Sequence, residues 1–272
     1  MMMDISLTNV AETLLIPLWA RAYETIKSGE HLVEDPKAVA LVHCLHYDFD
    51  KFAAAKKSQV GVAIRSAILD REVKAFVKEH ANAVCINLAC GLDTRFYRID
   101  TGFLDWYNLD LPEVMELRQQ LLPDDSSRLH SIGKSLLDPS WPDDVITEGR
   151  PVLILMEGAS MYFSEEEMKV FFALLANRFT GAHMFLEVMT KTLIRLQHRH
   201  DSVDTKKTPF RWGINGIDEL ETLNGAICVE RRWTLYEGYR DRCGWMGIFS
   251  CIPWWNHHMN DQIIHLRLRE ER

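Results

Sequence analysis

Three acids stand where apolar runs stop, and their spacing carries the chemistry of this chain. Asp110 closes the run Asp105-Trp106-Tyr107-Asn108-Leu109-Asp110, nineteen residues after Gly91. Glu157 closes the apolar run that starts at Pro151 and Val152, and Asp93 follows the turn Ala89-Cys90-Gly91-Leu92. Val84, Cys85, Ile86 and Leu88 before that turn read as a buried parallel strand, which breaks at Gly91. A helix then starts near Asp93 or Thr94, either of which caps well. A strand, a glycine turn, a helix and a strand ending in an acid is how a doubly wound sheet binds a nucleoside. The acid, here Asp110, accepts hydrogen bonds from the ribose hydroxyls.

The turn also says which nucleoside. A dinucleotide site uses three glycines in the pattern G-x-G-x-x-G to bring the backbone against a pyrophosphate. Here there is one glycine, with a carboxylate at the start of the helix, which disfavours a phosphate and suits a cationic cofactor. S-adenosylmethionine, a nucleoside with an ammonium and a sulfonium and no phosphate, meets that description. A nicotinamide oxidoreductase does not.

The run Asn87-Leu88-Ala89-Cys90-Gly91-Leu92-Asp93-Thr94-Arg95-Phe96-Tyr97-Arg98 resembles the nucleotide-binding signature of one methyltransferase family. That family joins the leucine carboxyl methyltransferases to the tetracenomycin-type polyketide O-methyltransferases. Asn108-Leu109-Asp110-Leu111-Pro112-Glu113-Val114 with Arg118 is similar to its second motif, and Ser135-Leu136-Leu137-Asp138-Pro139 to its third. The resemblance implies cofactor contacts at Ala89, Cys90, Gly91, Asp110 and Leu111, and an adenine edge at Ser135 and Leu136. Many relatives carry an acid at the position of Ser135, so this chain departs from the pattern there. The resemblance further implies that Arg65 salt-bridges the methionine carboxylate and that Glu157 faces the cofactor ammonium, beside the transfer centre. A planar guanidinium suits a carboxylate bidentately. Tyr162 is the phenol nearest that region, as a catalytic group or as a packed ring.

Other elements must position these groups. Residues 8–27 have apolar side chains at near-helical spacing around Pro17, and the family's corresponding segment covers the cofactor. Arg21 on it is either a solvated charge or the anchor of a ligand carboxylate. Asp35-Pro36 opens a second helix, and residues 59–78 form a long third one that carries Arg65. A helix from Pro112 to Leu122, a strand over 129–135 and a helix from the capping box Ser164/Glu167 to Arg178 follow. The strand over 183–188 precedes a break in the α/β rhythm, where Lys191, Arg195, His198, Arg199 and His200 make a basic helix suited to an acidic acceptor or to solvent. Residues 226–236 and 262–269 read as strands of a closing antiparallel hairpin. Trp245, Phe249, Trp254 and Trp255 are expected in the core or the acceptor pocket.

The expected fold class is α/β: a doubly wound, Rossmann-like, seven-stranded, mostly parallel sheet with an antiparallel final strand. Its single domain, 1–272, divides into an N-terminal helical cover (1–80), a cofactor-binding core (81–189), an acceptor-side insertion (190–225) and closing strands (226–272).

The chain of 272 residues is 47% hydrophobic with a net charge of −8, which speaks against a general nucleic-acid or anionic-membrane surface. Its six cysteines include no C-x-x-C pair and read as reduced thiols. Neither His43, Cys44 and His46 nor His257-His258 makes a metal site by spacing. No apolar run reaches a membrane span and Met1–Asp4 lacks a signal-peptide pattern, so a cytoplasmic protein is expected.

The expected function is transfer of a methyl group from S-adenosylmethionine, leaving S-adenosylhomocysteine, to a carboxylate or hydroxyl of a small molecule. Methylation of a protein C-terminal carboxyl and a non-catalytic cofactor-binding module are the alternatives. A carboxylate acceptor, ionised at neutral pH, needs no general base.

Overall fold

The computed structural model describes residues 9–270; the expectation placed on Met1–Asp4 lies outside them. Seven strands form one sheet: β1 (Val84–Leu88), β2 (Asp105–Asp110), β3 (Leu129–Gly133), β4 (Val152–Met156), β5 (His183–Met189), β6 (Ile227–Thr234) and β7 (Asp261–Leu268). Their order is β3-β2-β1-β4-β5-β7-β6, with β1 to β5 parallel and β7 antiparallel to both its neighbours. The expected sheet is the observed one. The order reverses between β1 and β4, so the crevice for a ligand opens at their carboxyl ends.

The helices are α1 (Asn9–Ile26), α2 (Pro36–Cys44), α3 (Lys56–Glu79), α4 (Arg95–Ile99), α5 (Pro112–Leu121), α6 (Glu165–Arg178), α7 (Lys191–Arg195), α8 (Asp218–Leu223), α9 (Trp245–Phe249) and α10 (Pro253–His258). The two-residue period of the strands sorts the core into two faces. Val84, Ile86, Leu88, Ile154 and Met156 pack with Phe171, Phe172 and Leu175 of α6. Cys85, Leu153, Leu155 and Phe185 pack with Ile68, Leu69 and Val73 of α3. Both faces are covered, which is why β1 is apolar along nearly all its length. Burial pushes the Cys85 thiol up to about 12, as fits a packing thiol.

Local signals act as their chemistry directs. Asp35 accepts the Ala38 N–H ahead of Pro36, and Ser164 with Glu167 forms both bonds of a capping box. Pro17 lies inside an uninterrupted α1. Three expectations are corrected. The strand expected over 129–135 ends at Gly133, ahead of the turn in which Asp138 N–H meets the Ser135 carbonyl. The basic helix expected over 191–200 stops at Arg195 and continues only as a single tight turn over Gln197–Arg199. The aromatic run is not core: Trp245, Phe249 and Trp254 are 54, 44 and 60% exposed. Helices of five and six residues have too few positions to bury such rings; Trp245 and Phe249 meet Trp255 edge-on and tilted, and Trp254 meets His258. No helix among the described residues is long and apolar enough to cross a membrane.

Candidate active site

The turn after β1 is backbone-driven. Ala89 and Gly91 both adopt left-handed φ values, 49° and 46°. For alanine that conformation is disfavoured and marks a turn dictated by its surroundings. Gly91 N–H donates to Asp110 Oδ2 at 2.8 Å, and Cys90 N–H donates to the Leu109 carbonyl. A Cβ on Gly91 would come within 2.9 Å of a Leu14 methyl, so α1 lies directly over the turn. Arg118 holds the turn from below by donating to the Gly91 carbonyl. The Asp110 carboxyl also accepts the Leu111 N–H, and burial raises its pKa above the ordinary value.

Around this turn lies a network of buried charge. The Arg95 fork reaches three acids: Asp70 at 2.7 Å, Asp93 at 2.6 Å and Glu157 at 2.6 Å. Arg98 pairs with Asp70 and Asp35, and Thr94 donates its hydroxyl to Asp35. Arg21, expected in solvent or on a ligand carboxylate, is 3% exposed. It holds Asp35 of the chain itself and the Leu92 carbonyl, because α1 packs across the turn and closes it off. The Asp93 carboxyl is desolvated, yet Arg95 above all and then Arg21 and Arg98 hold it well below the usual range.

Arg65 and Glu157, expected on the carboxylate and the ammonium of the cofactor, pair with each other at the end of β4. Arg65 Nε donates to Glu157 at 2.9 Å and Nη1 donates to Glu187 at 2.8 Å. Gly158, at φ 70°, places its Cα so that a Cβ would lie 3.1 Å from Arg65 Nη2. Burial opposes ionisation of Glu157, but Arg95 and Arg65 prevail and keep it anionic. The cation that an acid at a strand end requires is thus supplied twice, by α3 and by α4.

Glu187, fully buried on β5, was missed by sequence reasoning although it is an acid in an apolar strand just as Glu157 is. It also accepts the Gly158 N–H at 2.5 Å. Asp261, at the start of β7, hydrogen-bonds Glu187; burial and that neighbour raise its pKa well above the carboxylate range. Nothing in the local sequence marks Asp261, because only the pairing of β7 with β5 brings it there.

Beyond Glu187 lies a cluster of rings from the 160–163 and 197–210 segments. Tyr162 sits edge-on to Phe210 at 5.5 Å, and burial raises its phenol to about 12. His200 also meets Phe210 edge-on, at 5.4 Å. Its Nδ1 accepts the Val203 N–H at 3.2 Å and the Ser202 N–H at 3.4 Å, so the neutral ring carries its proton on Nε2. Burial and then the Arg65 charge disfavour its protonated form. Ser135 and Leu136 lie on the turn after β3, where Ser135 Oγ accepts the Leu137 N–H and Leu136 is buried. Leu111 remains 37% exposed next to Asp110. His43, Cys44 and His46 are not drawn together into a ligand set with any fourth group among the described residues.

The donor set at the switch point fits S-adenosylmethionine. It sets the Asp110 and Glu157 carboxylates at the strand ends, which suit a cationic nucleoside, and the tight turn under α1 has no phosphate-binding glycine loop.

Comparison with known proteins agrees. Residues 15–176 match the family model for leucine carboxyl methyltransferase. The chain is 33% identical over 236 residues to the tetracenomycin polyketide synthesis O-methyltransferase TcmP of Streptomyces glaucescens, covering 86% of each protein. It is 27% identical to the S-adenosyl-L-methionine-dependent methyltransferase dpfgK of Gibberella zeae, over 93% of this chain and 92% of that one. Among solved structures, a duf574 family protein of Streptomyces avermitilis superposes with a TM-score of 0.59 at 14% identity, over 92% of this chain and 96% of that one. The magnesium protoporphyrin IX methyltransferase of Synechocystis does so at 0.51 and 12% identity, over 94 and 95%. At such identities the likeness is one of fold. The chain belongs to the leucine carboxyl methyltransferase family and is an S-adenosylmethionine-dependent methyltransferase.

Proposed function

We propose that this enzyme methylates an oxygen that reaches the site already ionised, a carboxylate or an acidic hydroxyl of a small molecule. The observation that carries the reading is the engagement of the bases found near Arg65 among the described residues. Glu157 is held by two arginines, Glu187 by Arg65 and the Gly158 N–H, and Asp261 by Glu187. The Tyr162 phenol keeps its proton, and the basic nitrogen of His200 is turned to the backbone. With no poised base among the described residues, the acceptor has to bring its own nucleophilic electron pair. The likeness to a polyketide O-methyltransferase supports a small oxygen acceptor over a protein C-terminus.

In this reading Asp110 accepts the ribose hydroxyls, with Ala89, Cys90, Gly91 and Leu111 forming the surrounding wall and Ser135 and Leu136 the adenine edge. Glu157 receives the ammonium, and Arg65 turns its Nη2 edge to the methionine carboxylate. Bound there, the cofactor supplies an electrophilic methyl on a sulfonium. The protein's own work is to hold the acceptor in line and exclude water. Tyr162 donates its hydroxyl to the acceptor oxygen and orients it.

The test is a pH series of methyl transfer over a panel of aromatic carboxylates and phenols. For a carboxylate, kcat/KM is expected to stay level above about pH 6, since the acceptor is already ionised there. For a phenol it should climb through the acceptor's own pKa. A bell-shaped profile abolished by His200→Gln would refute the reading.

A further inference from the structure

Far from the methyl-transfer end, three strands bring together two imidazoles and a carboxylate. His183 opens β5, His265 lies on β7, and Glu230 lies on β6. His183 Nδ1 and His265 Nε2 are 2.8 Å apart, and Glu230 Oε2 is 3.8 Å from His265 Nδ1. One ligand atom from each of the three lies within 4.8 Å of the others, the one such trio found among the described residues. A ring-to-ring contact this short requires a bare lone pair on at least one of the two nitrogens.

The backbone builds this cluster. The β6–β7 register slips between Val229 and Arg231, so Glu230 and Arg231 both stand against His265. A bulge of this kind redirects one side chain, here a carboxylate, that regular alternation would send to the opposite face. Phe76 of α3 packs its ring 5.3 Å from His183 and forms one wall. The C-terminal end of α3, a helix of 24 residues, lies at that wall with its partial negative charge, which favours a cation.

We infer that His183, His265 and Glu230 form a binding site for a first-row divalent cation with an affinity for imidazole, of which zinc is the type. Two imidazoles and a carboxylate are a common zinc donor set, and water completes the sphere on the side where Glu230 is exposed. Ligands on a tetrahedral zinc stand about 3.3 Å apart, from bonds of about 2.0–2.1 Å, so the ring nitrogens need only part slightly. The exposed Glu230 side chain closes the remaining gap. Such an ion would tie the edge strand β6 through β7 to β5, away from the catalytic edge, and acts as a staple rather than as a catalyst.

The test is calorimetric titration of the untagged, chelator-treated full chain with zinc, repeated with cobalt under an absorption spectrometer. One saturable site is expected, with a melting temperature raised by zinc and a cobalt spectrum free of thiolate charge transfer. His183→Gln and His265→Gln should each weaken zinc by about tenfold or more. Glu230→Gln, at an exposed position, should weaken it less and lower the thermal shift in proportion. Absence of binding overturns the inference. So does binding that survives Glu230→Gln and either histidine change unaltered, or a thiolate band, which would move the ion to Cys228 on the same strand.

Discussion

On the proposed cofactor side of the sheet edge the chain is held by buried charge, and on the proposed acceptor side by rings and single hydrogen bonds. Arg21, Arg95 and Arg98 are tied to Asp35, Asp70, Asp93 and Glu157 with almost no exposure, and those bonds join α1, α2, α3 and α4 to the turn after β1. Tyr162, His200 and Phe210, by contrast, touch edge to face, and the 200–208 segment is fixed by contacts such as Asp201 accepting from Ser58. Ion pairs sequestered from water have directional geometry and little tolerance for change. Aromatic contacts are each worth about 0.5–1.5 kcal/mol and admit repacking. The contrast suits an enzyme whose donor is fixed and whose acceptor defines the individual member.

The largest expected effect breaks the charged side. Arg95→Met removes one partner from three buried acids at once, leaving Glu157 to Arg65 and Asp70 to Arg98, and should cost about 3–5 kcal/mol of unfolding free energy in urea. Phe210→Leu on the acceptor side should cost clearly less. If the two changes cost the same, the contrast between the sides is wrong.

Acid sharpens the same comparison. Asp35, Asp70, Asp93 and Glu157 all have folded-state pKa values below their ordinary ones, burial notwithstanding, because of their arginines. Their contribution is therefore fully present above the unfolded carboxylate range, about pH 4, and is lost as pH falls through the lowered values. Asp110 and Asp261, raised chiefly by burial, act in the opposite sense, favouring the fold at low pH and losing that contribution as pH rises through their raised values. Urea stability should not fall between pH 7 and about pH 5, where Asp110 and Asp261 favour the lower pH, and should fall steeply below about pH 4. Hydrogen exchange at low pH should open α4 and the Gly91 turn before α6. Earlier opening of α6 would contradict the account.

Smaller effects belong to the acceptor side. Ser164→Ala removes one bond of the α6 capping box and should cost about 1 kcal/mol with S-adenosylhomocysteine affinity unchanged. Tyr162→Phe should leave both stability and cofactor affinity in place and raise the acceptor KM several-fold. A fall in kcat through a shifted pH profile would make the phenol a proton carrier instead.

What was legible in the sequence follows the same division, for a physical reason. Strand ends, caps and the glycine turn are local, so Asp110, Glu157, Ser164 and the seven strands could be read from neighbouring residues. The arginines in the signature were visible, but their partners were not, since Asp35 and Asp70 come from α2's cap and from α3. Arg21 was misjudged because the side of α1 it occupies is buried only by the turn it crosses. Glu187 carried a readable signal, an acid inside a β-run, whereas Asp261 and the Glu230 bulge exist only through pairing of β7 with its neighbours. The exposed cluster around Trp245 shows the converse limit: aromatic content alone does not say which side of a short helix faces water.

The most direct measurement is calorimetric titration of S-adenosylhomocysteine into the wild-type chain, Asp110→Ala and Tyr162→Phe, with melting temperatures recorded alongside. The account predicts that Asp110→Ala loses about tenfold or more in affinity while still folding, through loss of charge-assisted hydrogen bonds, and that Tyr162→Phe loses none. Unchanged affinity in Asp110→Ala would contradict the placement of the cofactor at the end of β2, and with it the division of the catalytic edge into a charged donor side and an adaptable acceptor side.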